Sequence, residues 1–350
     1  MESPAGPADL AEVEDALVSP LPSDLRLLLS YGNGGRLPSG TLLRVGGAAE
    51  GSVLGALRAL AERLGRTADD PELPVPYYLT HDGPLLAFDR GAGPIADTWP
   101  IVDASLDGEL RLVHRTFDGW CRLCVLDWSA PDFDQPFSLQ KYLATGLRHV
   151  EIESDVAAAH ATVAHALRRL GEPERALASY LAAGRCVPPL GWCDFEALKI
   201  ALLLGDSAAA MEVARRLCVR APAAAWRARG SSPTQVADAL GMLATEIEPP
   251  EPLLRLLDRL AAQAEGSEQG RHIGAIRRAV WSGEALPPTR PVRTTAVPAQ
   301  GDIDAWWTAL GQAYRAGKVR DEDLLLDPVY RSLRRQRSFA ELLHTRRDFS

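Results

Sequence analysis

Two segments of the chain, 171–188 and 205–222, carry matching residues at a constant spacing of 34 positions. The matched positions are Gly171, Ala176, Ala183 and Pro188 in the first segment and Gly205, Ala210, Leu217 and Pro222 in the second. A period of this length is typical of stacked helix–turn–helix units. In such a unit the glycine ends the first helix, the small residue lets two helices approach, and the proline stops the second helix. The repeat therefore predicts an α-helical solenoid in the second half.

The length and composition favour a two-domain cytoplasmic protein. The chain has 350 residues, of which 46% are hydrophobic and 24% are charged, as in ordinary globular proteins. Its first 15 residues lack the basic-then-apolar order of a signal peptide, and no run reaches the ~18 apolar residues of a membrane span. The odd number of cysteines, five, favours a reducing compartment. We therefore expect a cytoplasmic location and no membrane partner.

Cys121 and Cys124 form a CxxC motif, which in isolation indicates a redox or zinc site. Here the motif lies inside the apolar helical run 120–128, and no second pair of ligands has suitable spacing. We interpret the two thiols as small core residues one helical turn apart. The prediction is that the protein has no metal site and no cofactor.

The charge of the chain is concentrated in its first half. The net charge is −8. Residues 1–150 contain 21 acidic and 12 basic residues, whereas residues 151–350 contain 25 acidic and 26 basic residues. An acidic first domain repels nucleic acid and accelerates encounter with a basic protein. A solvated surface that maintains solubility is the alternative interpretation, and it stays open.

The first half alternates between helical and strand patterns. Apolar residues at helical spacing predict helices over 10–17, 24–31, 52–64 and 117–128. Alternating residues around turn signals predict strands at 41–45, 77–80, 85–89, 100–103 and 109–114. Helices on either side of a small meander indicate an α+β domain.

The motifs of this half, in their order, resemble those of the SUKH superfamily of Smi/Knr-type domains. The similar segments are Leu21-Pro22-Ser23-Asp24-Leu25 leading to Asn33-Gly34-Gly35, then Asp82-Gly83 with Leu86-Ala87-Phe88-Asp89, and the helix from Phe117. Pro84 and the segment 92–99 depart from the family pattern. The resemblance implies a binding module, since many bacterial members neutralise toxins as immunity proteins. The candidate partner-binding residues are Asp82, Asp89, Asp97, Trp99, Asp103 and Asp107.

The second half resembles tetratricopeptide repeats, on the matched positions above and Tyr180. Thr162, Val163 and Ala164 replace the tryptophan, leucine and glycine usual in the first helix of that family. The resemblance implies that first helices line a concave groove, here basic and aromatic, which suits an acidic peptide. The candidate groove residues are His165, Arg168, Arg169, Trp192, Phe195 and Lys199. Packing of Trp192 and Phe195 against a neighbouring helix is an equally open interpretation.

These patterns divide the chain into five predicted segments. They are a SUKH-like α+β domain at 1–135, a connecting segment at 136–154, tetratricopeptide-like helical repeats at 155–285, a Pro-rich linker at 286–301 and a C-terminal helical unit at 302–350. The expected fold class is thus an α+β domain followed by an all-α helical-repeat solenoid.

No motif for catalysis is present in the sequence. It lacks a phosphate loop, a nucleophile elbow and a His-Glu-x-x-His helix. His81-Asp82 is interpreted as turn chemistry, and the C-terminal arginines alternate with apolar residues, so we expect neither an enzyme nor nucleic-acid binding. Two hypotheses follow. The protein is either an immunity factor that occludes a basic toxin domain with its acidic domain, or a scaffold that recruits a peptide in the repeat groove. Its oligomeric state is not defined by the sequence.

Overall fold

Six short segments of the first half form strands that pair into one antiparallel sheet. In the computed structural model the strands are β1 (Gly35–Leu37), β2 (Gly40–Leu42), β3 (Val75–Thr80), β4 (Leu85–Phe88), β5 (Ile101–Asp103) and β6 (Arg111–His114). Each strand pairs with its neighbour in the sequence, so the sheet is a meander in the order β1 to β6. The described residues are 3–47, 51–81, 83–93, 98–105, 110–219, 233–245, 251–287, 303–327, 330, 333–334 and 336–347.

The helices of the first half are α1 (Pro7–Leu17), α2 (Ser23–Tyr31), α3 (Val53–Leu64), α4 (Phe117–Trp128) and α5 (Leu139–Ile152). Polar residues begin two of them: the hydroxyl of Ser52 accepts a hydrogen bond from Gly55 N, and that of Thr116 accepts one from Gly119 N, both at 3.0 Å. Such N-caps satisfy amides that have no partner in the first turn.

The apolar faces of these helices enclose one core with the sheet. Leu25, Leu57 and Val75 are completely buried in it. An aromatic cluster fills its centre, where the ring of Tyr77 lies 4.7 Å from that of Phe88 and 5.2 Å from that of Trp120. An antiparallel sheet with helices is the α+β architecture predicted for this half.

The second half contains helices and no strands within the described residues. They are α6 (Ala157–Leu170), α7 (Pro173–Ala183), α8 (Gly191–Leu204), α9 (Ser207–Val219), α10 (Pro233–Ala244), α11 (Glu251–Gln263), α12 (Glu268–Ser282), α13 (Ile303–Arg315), α14 (Asp321–Leu326) and α15 (Arg337–Leu343). Among the described residues, no helix combines the length and the hydropathy needed to cross a membrane. The all-α character expected for this half is therefore observed.

Positions of the 34-residue period have the local structure that the period predicts. Gly171 and Gly205 have φ angles of +83° and +73°, in the left-handed region that favours glycine. Ala176 and Ala210 are completely buried. Pro222 lies outside the described residues. The period thus identifies the turns and the close helix contacts, while membership of the tetratricopeptide family stays a prediction.

Contacts between Cα atoms divide the chain into two compact units. The first, here called the N-terminal unit, comprises 1–137 and 144–159; the second, the helical unit, comprises 138–143 and 160–350. The predicted Pro-rich linker falls almost wholly at 288–301, outside the described residues. The boundaries of the five segments predicted from the sequence stay predictions.

Two features of the observed elements were not predicted. Strand β1 was not expected, because a three-residue strand that begins with Gly35 has no alternating pattern to detect. In the C-terminal helical unit predicted at 302–350, α14 ends at Leu326 and α15 begins at Arg337, so the described residues do not form one continuous helix after residue 320. The first turn of α14 is acidic, and its residues Asp321 and Glu322 line a cavity of the helical unit.

Candidate functional site

A cavity of about 240 Å³ lies in the helical unit between α6, α7, α8 and the C-terminal segment. Five of the six predicted groove residues line it, namely His165, Arg168, Arg169, Trp192 and Lys199. The helical period explains this convergence, because residues three, four and seven positions apart share one face of a helix. The remaining wall comes from Tyr180, Glu196, Gly317, Val319, Arg320, Asp321, Glu322 and Arg347.

Arg168 is a buried residue of the cavity wall and is paired within the chain. Its Nε donates to Asp321 Oδ2 at 2.9 Å, and its Nη2 donates to Asp321 Oδ1 at 2.5 Å. Its Nη1 donates to the carbonyl oxygen of Leu343 at 2.9 Å. Burial alone would lower the pKa of Arg168, but the Asp321 carboxylate leaves it raised. The guanidinium is therefore charged and fully engaged.

Asp321 receives two further donors in the same place. The hydroxyl of Tyr314 donates to Oδ1 at 2.7 Å, and Arg347 donates to Oδ2 at 3.3 Å. Burial would raise the pKa of Asp321, but Arg168 and Arg347 hold it well below its usual value. This carboxylate is ionised and anchors the beginning of α14.

Lys199, on α8, is a second buried cation that is paired with carboxylates of the chain. Its Nζ donates to Glu196 Oε1 at 2.8 Å and also to Glu322, and it lies 4.9 Å from the centre of the Phe195 ring. Burial would lower the pKa of this amine, but the two carboxylates leave it raised. Buried cations of this kind persist because both charges of the pair are satisfied.

The structure corrects the predicted roles of three groove residues. Arg168 and Lys199 were predicted to bind an external acidic peptide, but the acidic turn of α14 already pairs with both. Phe195 does not line the cavity, because its side chain is buried in the core of the helical unit, beneath the Lys199 amine. Trp192 lines the cavity and also packs edge-on against Tyr180 at 6.1 Å, so both interpretations of that residue apply.

Among the described residues, the acidic side chains that were predicted to bind a partner do not form a surface patch of the N-terminal unit. Asp103 was predicted to contact a partner, but it is buried in β5, where its carboxylate accepts a hydrogen bond from Ser105 N. Asp89 is partly buried, and its carboxylate accepts hydrogen bonds from Gly91 N and Ala92 N, which closes a turn. Trp99 packs against the core. Asp82, Asp97 and Asp107 lie outside the described residues.

The N-terminal unit also contains two thiols and a cluster of metal-binding side chains. Cys121 and Cys124 pack against the core, and burial raises the pKa of these thiols to about 11 and about 12, respectively. They are therefore protonated near neutral pH and poor metal ligands. Within the described ranges, the cluster with enough donors for a metal ion is formed by His114, His149 and Glu153.

No protein-family model, curated protein or solved structure matches this chain. The likeness to SUKH domains and to tetratricopeptide repeats therefore depends on the motifs in the sequence.

Sequence reasoning missed the C-terminal wall of the cavity. Asp321 and Glu322 lie 153 and 123 positions from the cations that they neutralise. The available signal was the run Asp321-Glu322-Asp323 before Leu324, which is typical of a helix start. It does not reveal which cations the run contacts.

Proposed function

We propose that this protein is a non-catalytic protein-binding protein whose helical unit binds an acidic peptide segment. The observation that carries the proposal is the composition of the cavity wall. The wall carries five cations and three carboxylates, and a fourth carboxylate, that of Asp323, pairs with Arg320 at 3.9 Å, which leaves an excess of one positive charge. The cations are Arg168, Arg169, Lys199, Arg320 and Arg347, and the carboxylates of the wall are those of Glu196, Asp321 and Glu322. A cavity of this charge favours an anionic ligand.

The chain itself provides an example of the chemistry. The first turn of α14 places one carboxylate against Arg168 and another against Lys199. An acidic segment is thus compatible in size and charge with a groove made by α6 and α8. Because the two buried cations require these partners, α14 stays in place, and the external segment binds beside it.

Arg169 and Arg320 are the cations that we assign to the external carboxylates, which would add to the contacts that both residues already make within the chain. Arg169 follows Arg168 on α6, and Arg320 precedes α14 with its side chain about two-thirds exposed. Trp192 and Tyr180 supply an aromatic wall for an apolar residue of the same segment. A carboxylate paired with arginine and an adjacent aromatic contact are common in peptide recognition.

The test is fluorescence anisotropy of a labelled short peptide rich in Asp and Glu, titrated with the full chain. The double variant Arg169→Ala/Arg320→Ala should bind about tenfold more weakly than the wild type, which corresponds to ~1.4 kcal/mol. The matched control is Arg175→Ala/Arg185→Ala, which removes two exposed cations that do not line the cavity. Equal weakening in both double variants would mean nonspecific attraction and would refute the assignment.

A second candidate function is toxin immunity through the N-terminal unit. It is favoured by the acidic excess of residues 1–150, which suits a basic partner. The described exposed acidic residues include Asp69, Glu72 and Asp118, and these replace Asp103 as the positions to test. Neutralising the three should slow association with a basic nuclease domain in surface plasmon resonance, with little change in dissociation. An unchanged association rate would reject this candidate.

A further inference from the structure

Three donor side chains of the N-terminal unit meet where the end of β6 faces the end of α5. His114 is the last residue of β6, His149 lies in the last turn of α5, and Glu153 follows that helix directly. His149 and Glu153 are four positions apart, so helical geometry places them on one face. The three donor atoms, one from each side chain, all lie within 4.8 Å of one another.

The distances within this cluster are close to those of a coordination shell. His149 Nε2 lies 3.4 Å from Glu153 Oε2, and His114 Nδ1 lies 2.7 Å from the same oxygen. Two ligands of a tetrahedral zinc ion, each at about 2.0–2.1 Å from the metal, are roughly 3.3 Å apart. The first pair already has this separation. The second would have to open by a fraction of an ångström as the metal takes the place of the proton on His114 Nδ1, which moves to Nε2 of the same ring.

His149 presents a ring nitrogen without a hydrogen bond. Its Nε2 is inaccessible to solvent and has no hydrogen-bond partner among the described residues, although it points toward Glu153. The residue is 91% buried, since its exposed fraction is 9%. A buried imidazole nitrogen in this state is costly, and coordination of a cation would satisfy it.

The carboxylate of Glu153 is held in a fixed orientation from behind. Its Oε1 accepts hydrogen bonds from Arg115 N at 2.7 Å and Thr116 N at 3.2 Å, so Oε2 is left to face the histidines. Gly119 makes room for it, because a Cβ atom there would lie 2.4 Å from Oε1. Partners of this kind orient the ligands of metal sites.

We propose that His114 Nδ1, His149 Nε2 and Glu153 Oε2 form a binding site for a divalent transition metal, with Zn²⁺ the best match to two imidazoles and a carboxylate. The fourth position is left to water. The ion would connect the end of β6, the end of α5 and, through Glu153, the beginning of α4. This site is independent of the peptide cavity, and it goes beyond the absence of metal expected from the sequence.

The test uses the full chain, stripped with a chelator and then titrated with Zn²⁺ by calorimetry and with Co²⁺ by visible absorption. We expect one equivalent to bind, and Co²⁺ to show the d–d bands of a tetrahedral site without the charge-transfer band of a thiolate. His149→Ala should weaken binding at least tenfold. It removes the ring nitrogen that has no hydrogen bond, and it leaves the 2.7 Å contact between His114 and Glu153 in place.

The matched control is His81→Ala, which removes an exposed imidazole of the same unit. It should bind metal as the wild type does, and both variants should keep the wild-type circular dichroism in chelator. Absence of stoichiometric binding by the wild-type chain would overturn the proposal, whatever the variants do. Equal affinity of His149→Ala and the wild type would also overturn it, as would a thiolate band, which would assign the metal to Cys121 and Cys124.

Discussion

Arg168 on α6 donates two hydrogen bonds to the carboxylate of Asp321 on α14, although 153 residues separate them in the chain. Both side chains are almost completely buried. The pair fixes the acidic turn of α14 inside a groove that, from its sequence, was expected to receive an acidic partner. Its two most buried cations, Arg168 and Lys199, are thus paired with carboxylates of the same chain.

Replacing Asp321 with Asn should destabilise the helical unit strongly. The variant leaves the Arg168 guanidinium buried without a counter-charge, a loss of about 3–5 kcal/mol in comparable pairs. Urea unfolding, followed by hydrogen exchange of peptides from α6 and α14, measures the effect. The control Glu341→Gln breaks the exposed pair with Arg337 and should change stability by less than ~1 kcal/mol. Similar losses in both variants would contradict the assigned importance of the buried pair.

The same pair predicts acid sensitivity. Arg168 of α6, Tyr314 of α13 and Arg347 of the C-terminal segment all face Asp321, and its folded-state pKa lies below the usual 3.8. A carboxyl group with a depressed folded pKa contributes stability above its unfolded pKa and loses it as pH falls through the folded value. The difference in stability between the wild type and Asp321→Asn should thus shrink below about pH 4. Thermal melts from pH 7 to pH 3 measure it, and a constant difference would contradict the sign.

Gly119→Ala should destabilise the N-terminal unit. The new Cβ would lie 2.4 Å from Glu153 Oε1 and would displace the carboxylate from Arg115 N and Thr116 N. Loss of these charge-assisted bonds costs about 2–4 kcal/mol.

The matched control is Gly311→Ala in α13, where no atom lies within 4 Å of the added Cβ. That substitution should stabilise the protein by up to ~1 kcal/mol, because alanine is the better helix former. Chemical denaturation distinguishes the two, and stabilisation by both would show that Glu153 adjusts freely.

Local pattern was sufficient to predict most elements of the fold. The helix Phe117–Trp128 was predicted with its observed bounds, because it has a clear helical period and a threonine before its first residue. Asp103 shows where local pattern fails. It was chosen for its charge, but its strand lies inside the sheet, and all three residues of β5 are buried. Burial depends on which strands flank a segment, which a short pattern does not encode.

Only part of the candidate sites could be predicted from the sequence. The groove side chains of α6 and α8 were assigned through the resemblance to tetratricopeptide repeats, and five of the six line one cavity. Asp321 and Glu322 were not assigned to that groove, and His114 was not associated with His149, because both associations depend on tertiary contacts between distant segments.

Inversion of the cavity charge is the most direct test of the proposed function. The variant Arg169→Glu/Arg320→Glu leaves Arg168 and Lys199 with their partners and reverses the two cations assigned to the external segment. The measurement is the affinity of the wild type and of this variant for an acidic peptide and for its Lys-substituted counterpart. The account predicts that the wild type prefers the acidic peptide and the variant prefers the basic one. An unchanged preference for the acidic peptide in the variant would contradict it.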